Sequence, residues 1–464
     1  MKRPLRPILV LICVMVLLTG GVSNCSKTDN IEKSSDGPIP EITFMGWTNA
    51  TESKAYDAVI KKFEQDYNCK VRYNKVAVGE YRTKLNSVMA DATGKSTPDV
   101  FYVPSGMLWN LVISNKIENL QPYIDKSDSI SESDLWELAG WYQYRFNGEK
   151  LGEGDIYAFP KDVGPWSMVY NKTLFEEMGV PLPDPDVPWT WDDLVREGAK
   201  FNRLNESGRR DVFALAWLSV YPTVWQNGAS FLSEDYRTVR VTDDKFIEAI
   251  QFIADCINVY KLTPSPDEQS SLDAYTRWIQ GQVAICNAGP WDVAVYDKLT
   301  FEWDYMPYIS GNTGIQATTL GNMGLAVSSD SQNKELAFEL ARYLTTNAEA
   351  QESLYKAGQI VPNLISLAKR DYLSYVTKDA PVTRVNAQEW IKILEDYGRP
   401  EEEALTFNSE WMQPFNNGVG MVFNGSTDAR AFCESVAPTM QALLDESFKL
   451  ADSIKTNTGW TPNG

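Results

Sequence analysis

The chain has 464 residues, a formal net charge of −19 and no histidine. The absence of histidine excludes Ser-His-Asp and Cys-His nucleophiles, imidazole acid–base catalysis and ordinary zinc catalysis. The acidic charge balance argues against nucleic acid as a partner, because it repels phosphate backbones.

The N-terminus has the pattern of an export signal. Basic residues precede an apolar run at 8–18, which is too short for a membrane-spanning helix. The following "GGVSNC" resembles the lipobox of bacterial lipoproteins, although Asn24 replaces the small residue usual before the cysteine. We predict a signal peptide over 1–24, lipidation of Cys25 and a polar, flexible tether over 25–40. The alternative is an ordinary secretory signal, and in both cases the protein is exported.

Strands and helices alternate after the tether. The apolar spacing predicts strands at 41–47, 70–78 and 98–105, and helices at 51–67, 80–92 and 106–114. This alternation favours an α/β fold with a parallel sheet covered by helices on both faces. Further helices are predicted at 243–260, 272–280, 334–357, 387–396 and 427–453. Thr190 is a good N-cap for another helix, which starts between the helices predicted at 106–114 and 243–260.

Tryptophans stand at the ends of predicted elements, next to small or polar residues. They are Trp47, Trp217, Trp225, Trp291 and Trp411. In open parallel sheets, ligands bind beyond the carboxyl ends of the strands. An indole can cover the apolar C–H face of a pyranose while neighbouring polar side chains bind its hydroxyls. Core packing is the alternative for any one of these residues, but together they predict a carbohydrate site.

The remaining chemistry-bearing residues form no catalytic pattern. No pair of carboxylates has a spacing that marks an acid and a base, so we predict a binding protein, not an enzyme, with no metal and no cofactor. Four cysteines match no zinc or redox motif, and both disulfides and buried free thiols stay open for them. They are Cys69, Cys256, Cys286 and Cys433.

Four segments, in this order and spacing, resemble one family. They are "IYAFPKDVGPWSMVYNKTLFEEMGV", "WTWDDLVREGAK", "WIQGQVAICNAGPWDV" and "NKELAFELARYLTTNAEAQ". The chain resembles the sugar-binding, extracellular solute-binding proteins of bacterial ABC transporters over roughly 40–450. The resemblance implies a periplasmic-binding-protein fold, in which two α/β lobes joined by a hinge hold the ligand in the cleft between them. It places the N-terminal lobe at 41–160 and 325–360, the C-terminal lobe at 161–324 and 361–464, and crossings near 160–163, 321–324 and 358–362.

The resemblance also suggests which residues contact the ligand. These are Trp47, Asn49, Ser105, Lys161, Asp162, Trp225, Trp291, Asp292 and Trp411. Gly164 stands where maltose-binding protein has an acidic ligand contact, which argues against maltose itself.

The implied function is that of a monomeric receptor. It would capture a carbohydrate, of oligosaccharide size, and deliver it to an ABC permease from a lipid anchor at the cell surface or in the periplasm. Two alternatives stay open: the same fold with a non-sugar ligand such as a peptide or polyol phosphate, and a carbohydrate-active surface enzyme.

Overall fold

A computed structural model describes residues 38–47, 49–91, 93–104, 106–321 and 323–462. The predicted signal peptide, Cys25 and most of the tether lie outside these residues, as does Ser105. Within the described ranges, no helix combines the length and apolar character needed to cross a membrane.

Within the residues that the structure describes, fifteen strands form two large sheets and two smaller ones. In chain order they are β1 (Glu41–Trp47), β2 (Lys70–Val76), β3 (Val100–Val103), β4 (Arg145–Phe146), β5 (Asp155–Ile156), β6 (Phe159–Pro160), β7 (Gly164–Pro165), β8 (Ser167–Asn171), β9 (Arg203–Leu204), β10 (Arg210–Leu215), β11 (Val283–Ala288), β12 (Trp303–Met306), β13 (Thr318–Gly321), β14 (Gly324–Val327) and β15 (Gly398–Arg399).

Helices cover both large sheets. They are α1 (Ala50–Tyr67), α2 (Val78–Met89), α3 (Leu108–Ile113), α4 (Gln121–Ile124), α5 (Lys172–Glu177), α6 (Trp191–Gly198), α7 (Val220–Gln226), α8 (Asp244–Asn258), α9 (Pro266–Ser271), α10 (Ala274–Ile279), α11 (Val293–Tyr296), α12 (Lys334–Thr346), α13 (Ala348–Lys356), α14 (Ile365–Leu367), α15 (Glu389–Lys392), α16 (Gln413–Gly418), α17 (Gly420–Phe423) and α18 (Ala429–Thr458). Short 3₁₀ turns cover Glu132–Asp134, Tyr142–Tyr144, Ala199–Phe201, Pro290–Asp292, Glu402–Leu405 and Glu410–Met412, and π-helical turns cover Glu137–Trp141, Ala368–Tyr372, Tyr375–Asp379 and Ile393–Tyr397.

Each large sheet is the centre of one lobe. The first has the strand order β2-β1-β3-β14-β6 and the second β12-β8-β11-β10-β9. The side chains of β3, β8 and β11 are buried throughout, because helices cover both faces of these central strands. The predicted α/β, two-lobed fold is therefore present.

The sheets are mixed, whereas the sequence predicts a parallel one. β1 is parallel to β2 and β3, but β14 is antiparallel to both of its neighbours. The reason is the route of the chain. β1 and β3 run toward the edge where the lobes meet, while β14 enters the lobe from that edge.

A three-stranded sheet, β15-β13-β7, lies at the crossings between the lobes. β6 leads into β7, and β13 leads into β14, so the chain changes lobe near residues 161–163 and 321–324. Val361 pairs with Val163 in an isolated bridge beside them. We call the strands β7, β13 and β15 the hinge sheet. The exact lobe limits given above stay a prediction.

Local signals fix the helix ends. The Asn49 side chain accepts hydrogen bonds from the backbone amides of Thr51 and Glu52 at the start of α1, and Thr190 caps α6 in a reciprocal capping box with Asp193. The predicted helix at 334–357 is divided into α12 and α13, because Asn347 takes an extended conformation and caps α13.

The 30-residue helix α18 contacts both lobes. At its N-terminal end Arg430 forms an ion pair with Asp244 of the second lobe. At its C-terminal end the Thr458 hydroxyl donates to the Ile113 carbonyl of the first lobe. Pro438 lies inside the helix and donates no backbone hydrogen bond there. Although the resemblance assigns 361–464 to the C-terminal lobe, the end of this segment packs on the N-terminal one.

Candidate functional site: the cleft between the lobes

The carboxyl ends of β1 and β3 in the first lobe, and of β10 and β11 in the second, lie beside the crossings. β8 is antiparallel to β11, and Ser167 pairs with Ala288, so the start of β8 lies at the same edge as the end of β11. Residues 161–163 join the two edges directly. The structure therefore assembles one cleft from strand ends of both lobes, as open α/β sheets do for their ligands.

Lys161 lies on the floor of this cleft in a buried ionic cluster. Its Nζ is 2.7 Å from a carboxylate oxygen of Glu52 and 2.7 Å from one of Asp162. It also lies over the rings of Tyr56 and Tyr102, 5.8 and 5.5 Å from their centroids. Burial alone would lower the pKa of Lys161, but the two carboxylates outweigh burial and raise that pKa well above its ordinary value. Lys161 is therefore charged and is neutralised from within the protein.

Trp47 ends β1 and is partly exposed at the first-lobe edge. Its ring meets those of Tyr81 and Tyr102 edge to face, at centroid distances of 5.3 and 6.1 Å. Asn49, two residues on, caps α1 through its side-chain oxygen, while its amide nitrogen donates to Gln359 at 3.3 Å. The ligand contact predicted for Asn49 thus involves a side chain that already has a structural role.

Trp291 lies at the opposite edge, in the second lobe. The Asp292 carboxylate accepts hydrogen bonds from the Gly289 amide at 2.9 Å and from the Tyr275 hydroxyl at 3.2 Å, which fixes the turn that carries Trp291. The indole packs on Gly289, where an added Cβ would lie 2.3 Å from it. Trp291 remains 37% exposed. Asp292 is therefore a positioning residue for Trp291.

Trp166 is the partner of Trp291 that the sequence prediction missed. It is partly exposed, and its ring meets that of Trp291 at 84° with a centroid distance of 5.3 Å. A usable signal was present, because the tripeptide Gly-Pro-Trp occurs both at 164–166 and at 289–291.

The hinge requires glycine at position 164. An added Cβ at Gly164 would lie 1.8 Å from the carbonyl oxygen of Gly321, the residue that it pairs with in the hinge sheet. Asn363 directly follows the crossing near 358–362. Its side-chain amide donates hydrogen bonds to the carbonyls of Pro160 and Lys161 at 3.2 and 3.1 Å, which connects this crossing to the one near 160–163. An acidic side chain at position 164 would therefore clash with the hinge sheet.

Two residues predicted to contact ligand are buried in this structure. Trp411 is fully buried, and its indole nitrogen donates to the Thr406 hydroxyl at 3.0 Å. Trp225 is 3% exposed and donates to the Glu402 carboxylate at 3.1 Å. Both indoles pack in the core, so the ligand contacts predicted for them have no support from this structure.

The other predicted residues are where a cleft site needs them, although their contact with ligand stays a prediction. Trp47 and Asn49 lie at the first-lobe edge, Lys161 and Asp162 at the crossing, and Trp291 with Asp292 at the second-lobe edge. The four cysteines for which the sequence left two states open are buried free thiols.

Comparison with known proteins agrees with this geometry. The sequence profile of the family described as "Bacterial extracellular solute-binding protein" matches residues 47–351. The chain belongs to this family. Membership of an extracellular family also implies that the protein is exported.

Curated relatives are distant and only partly covered. An arabinooligosaccharide-binding protein from Halalkalibacterium halodurans is 24% identical over 283 residues, covering 58% of this chain and 59% of the relative. An erythritol/L-threitol-binding protein from Mycolicibacterium smegmatis is 24% identical over 293 residues, covering 58% and 55%. The chain thus matches less than two thirds of the length of these relatives.

Solved structures show the same fold over most of the chain. An ABC substrate-binding protein from Listeria monocytogenes in complex with cycloalternan has a TM-score of 0.72 and 22% identity, covering 88% of this chain and all of the other. A maltose-bound protein from T. maritima has a TM-score of 0.68 and 20% identity, with coverages of 88% and 100%. Identities this low establish a shared fold only.

We expect the solute-binding protein to be more stable at pH 5 than at pH 8. Burial raises the pKa of Asp292 to about 6. Burial is also the main reason why the pKa values of Glu389 and Glu401 are raised to about 7, and neighbouring groups make smaller contributions. A carboxyl whose folded pKa is raised stabilises the fold below its unfolded pKa, and that contribution disappears as the pH rises through the folded pKa. Between pH 5 and pH 8, Asp292 should remove about 1 kcal/mol and Glu389 and Glu401 on the order of 2–3 kcal/mol each.

Thermal melts at pH 5, 6, 7 and 8 measure this dependence. Asp292→Asn and Glu389→Gln should each flatten the profile, because their amides mimic the protonated acid. A melting temperature that rises steadily from pH 5 to pH 8 would contradict the assignment.

Proposed function

We propose that the protein captures a carbohydrate, of oligosaccharide size, in the cleft and delivers it to the permease of an ABC importer. One observation carries the proposal. Trp291 presents an exposed indole, held by a locked turn, at the cleft edge of the second lobe, opposite Trp47 of the first lobe. An indole combines a large apolar face with a polar N–H group, and the C–H face of a sugar ring is an apolar surface that such an indole can cover.

The polar groups around Lys161 suit a neutral ligand. Lys161 is already paired with Glu52 and Asp162, so this buried cation does not offer a free charge to a phosphate. We expect Trp47 and Trp291 to cover the faces of a sugar while polar groups at the cleft edges hydrogen-bond its hydroxyl rim. The names of similar proteins agree, since they are described as binding an arabinooligosaccharide, cycloalternan and maltose.

The mechanism is a shift between an open and a closed arrangement of the lobes. Binding energy from groups on both lobes is realised only when the cleft is closed, so the ligand favours the closed form. Glycine at 164 allows the hinge strands to approach closely, and glycines at 164 and 321 can absorb the change of backbone angles that a hinge needs. The permease would then recognise the closed form.

A polyol is the second candidate ligand, because one relative is described as binding erythritol and L-threitol. We also propose a monomer that is tethered by a lipid on Cys25. The support for this tether is the sequence pattern around Cys25, which lies outside the described residues.

Titration of tryptophan fluorescence with a panel of oligosaccharides and polyols, with thermal melts in parallel, tests the proposal. A saturating ligand should change the spectrum, and at 100 times its Kd it should stabilise the fold by about 2.7 kcal/mol. The melting temperature should therefore rise in the same samples.

Trp291→Ala should weaken binding by about 10- to 100-fold, because the loss of one stacking face costs about 1.4–2.8 kcal/mol. Trp460→Ala is the matched control. Its indole is also partly exposed, but packs on Phe146 away from the cleft, and should leave the affinity unchanged. The absence of any response to sugars and polyols, or consumption of the added glycan, would contradict a carbohydrate receptor.

A further inference from the structure

Three consecutive glutamates follow the hinge strand β15, and the proposed function does not use them. They are Glu401, Glu402 and Glu403. A run of acidic residues normally lies on a solvated surface, but Glu402 is only 7% exposed, and Glu401 and Glu403 are half-buried. Buried carboxylates need a cation or hydrogen-bond donors to compensate for the loss of water. We call these three residues the acidic segment.

The acidic segment lies between the two lobes. On the first-lobe side, the Glu403 carbonyl oxygen lies 3.6 Å from the position of an added Cβ at Gly106, in the loop after β3. On the second-lobe side, the Glu402 carboxylate accepts hydrogen bonds from the Trp225 indole at 3.1 Å and from the Phe231 amide at 3.3 Å. The loop after β3, and helix α7 after β10, both follow the carboxyl ends of strands, where the cleft lies. A ligand in the cleft can therefore reach the half-buried members of the segment.

Neighbouring cations compensate the acidic segment only in part. Burial raises the pKa values of Glu402 and Glu403, and this rise is partly opposed by Arg399 and Arg82, respectively. Burial and the charges of the other two glutamates raise the pKa of Glu401 to about 7, and no cation opposes this rise. Within the described ranges, Glu401 has no ion-pair partner. Three carboxylates thus face two guanidinium groups, and the charge of Glu401 is left without a counterion.

Two buried polar atoms at the acidic segment have no hydrogen-bond partner among the described residues. They are the hydroxyl oxygen of Tyr221 and one carboxylate oxygen of Glu402. Tyr221 is 8% exposed and packs on Trp225, the residue whose indole binds Glu402. Burial, followed by the charges of all three glutamates, raises the pKa of Tyr221 well above its ordinary value, so its hydroxyl faces the segment. Buried polar atoms are nearly always paired in native proteins. A donor that the protein does not supply is therefore missing here.

A protonated amine matches what is missing. It carries one positive charge and several N–H donors, and it is satisfied by one or two carboxylates together with a hydroxyl oxygen. A metal ion matches less well, because no group of three acidic or cysteine side chains in the described part of the chain is arranged to hold one.

We propose that the acidic segment binds a protonated amino group of the ligand, with Glu401 in direct contact, so that the captured carbohydrate contains an amino sugar. This rests on the proposed carbohydrate function. The ligand would enter while the lobes are apart, and the ammonium group would be enclosed between them as they close. The sugar rings would lie toward Lys161, whose charge is already balanced.

Matched saccharides test this inference by calorimetry on the intact protein. The β-1,4-linked trisaccharides of glucosamine, N-acetylglucosamine and glucose differ only in an ammonium, acetamide or hydroxyl group at C2. Galactosamine, N-acetylgalactosamine and galactose form a second set. We expect the amino form to bind about 10-fold or more tightly than both of its neutral counterparts. Its affinity should also rise by about 10-fold or more from pH 5 to pH 7, because the ammonium group needs Glu401 in its ionised form.

Variants separate charge recognition from general affinity. Glu401→Gln should weaken the amino form by about 10-fold or more and bring its affinity close to that of the neutral forms. The neutral forms themselves should bind as they do to the native protein. Glu410→Gln is the matched control, because Glu410 is an exposed glutamate nearby in the chain, and it should change neither affinity. Thermal melts of the unliganded variants establish that the fold is intact.

The outcomes are distinguishable. Equal binding of amino and neutral forms, or a preference for the amino form that persists in Glu401→Gln, would overturn the inference and leave the carbohydrate receptor standing. Binding of the linear polyamine spermidine without binding of any saccharide would overturn the carbohydrate function, and the amino sugar with it. Failure of every saccharide and of spermidine to bind would overturn both.

Discussion

Replacing Lys161 by methionine should lower the free energy of unfolding by about 3–5 kcal/mol, because it leaves two buried carboxylates without their cation. In the native protein the Lys161 side chain is 6% exposed and lies 2.7 Å from both Glu52 and Asp162. Methionine preserves most of the stem but supplies no charge. Urea denaturation at pH 7 measures the loss.

Two further variants make the Lys161 result specific. Lys75→Met removes a lysine whose ion pair with Asp57 is exposed, so its cost should stay below about 1 kcal/mol. The double variant Glu52→Gln/Lys161→Met should recover part of the loss, since one of the two uncompensated carboxylates is gone. Equal effects of Lys161→Met and Lys75→Met would contradict a buried ionic cluster.

Trp411→Ala should also cost about 3–5 kcal/mol in stability, because it removes a fully buried indole from a core that cannot fully collapse around the space. Its Thr406 partner would lose a hydrogen bond as well. The folded fraction of this variant should bind ligand with nearly native affinity. Denaturation curves, combined with titration below the melting temperature, measure both quantities.

Trp291→Ala is the matched comparison for this second result, since the substitution is the same. It should reduce affinity and cost less stability than Trp411→Ala, because the Trp291 ring is 37% exposed whereas Trp411 is fully buried. A stable Trp411→Ala protein that loses binding would restore Trp411 to the site.

Much of the fold could be predicted because local physical signals agree with it. The strand predicted at 41–47 is β1, residue for residue, and Thr190 caps α6 as expected. Proline and glycine marked the crossings near 160 and 321, and at position 164 glycine is required because an added Cβ would clash with the Gly321 carbonyl. The antiparallel direction of β14 could not be read locally, since it depends on the route of the whole chain.

The candidate site could be predicted only in part. Trp291 and Trp411 look alike in sequence, each a tryptophan beside a polar residue, yet one is exposed and the other is fully buried. The difference arises from what packs on them, which no local pattern encodes. The partner of Lys161 was missed for a similar reason, because Glu52 lies on α1, more than a hundred residues earlier in the chain.

The helix α18 has a consequence for how this protein folds. The hydrogen bond between Thr458 and Ile113 closes a loop of 345 residues, and the same helix binds the second lobe through Arg430. Contacts this distant in sequence are entropically costly to form and slow the folding rate. We therefore expect the docking of α18 on the two lobes to be a late step in folding.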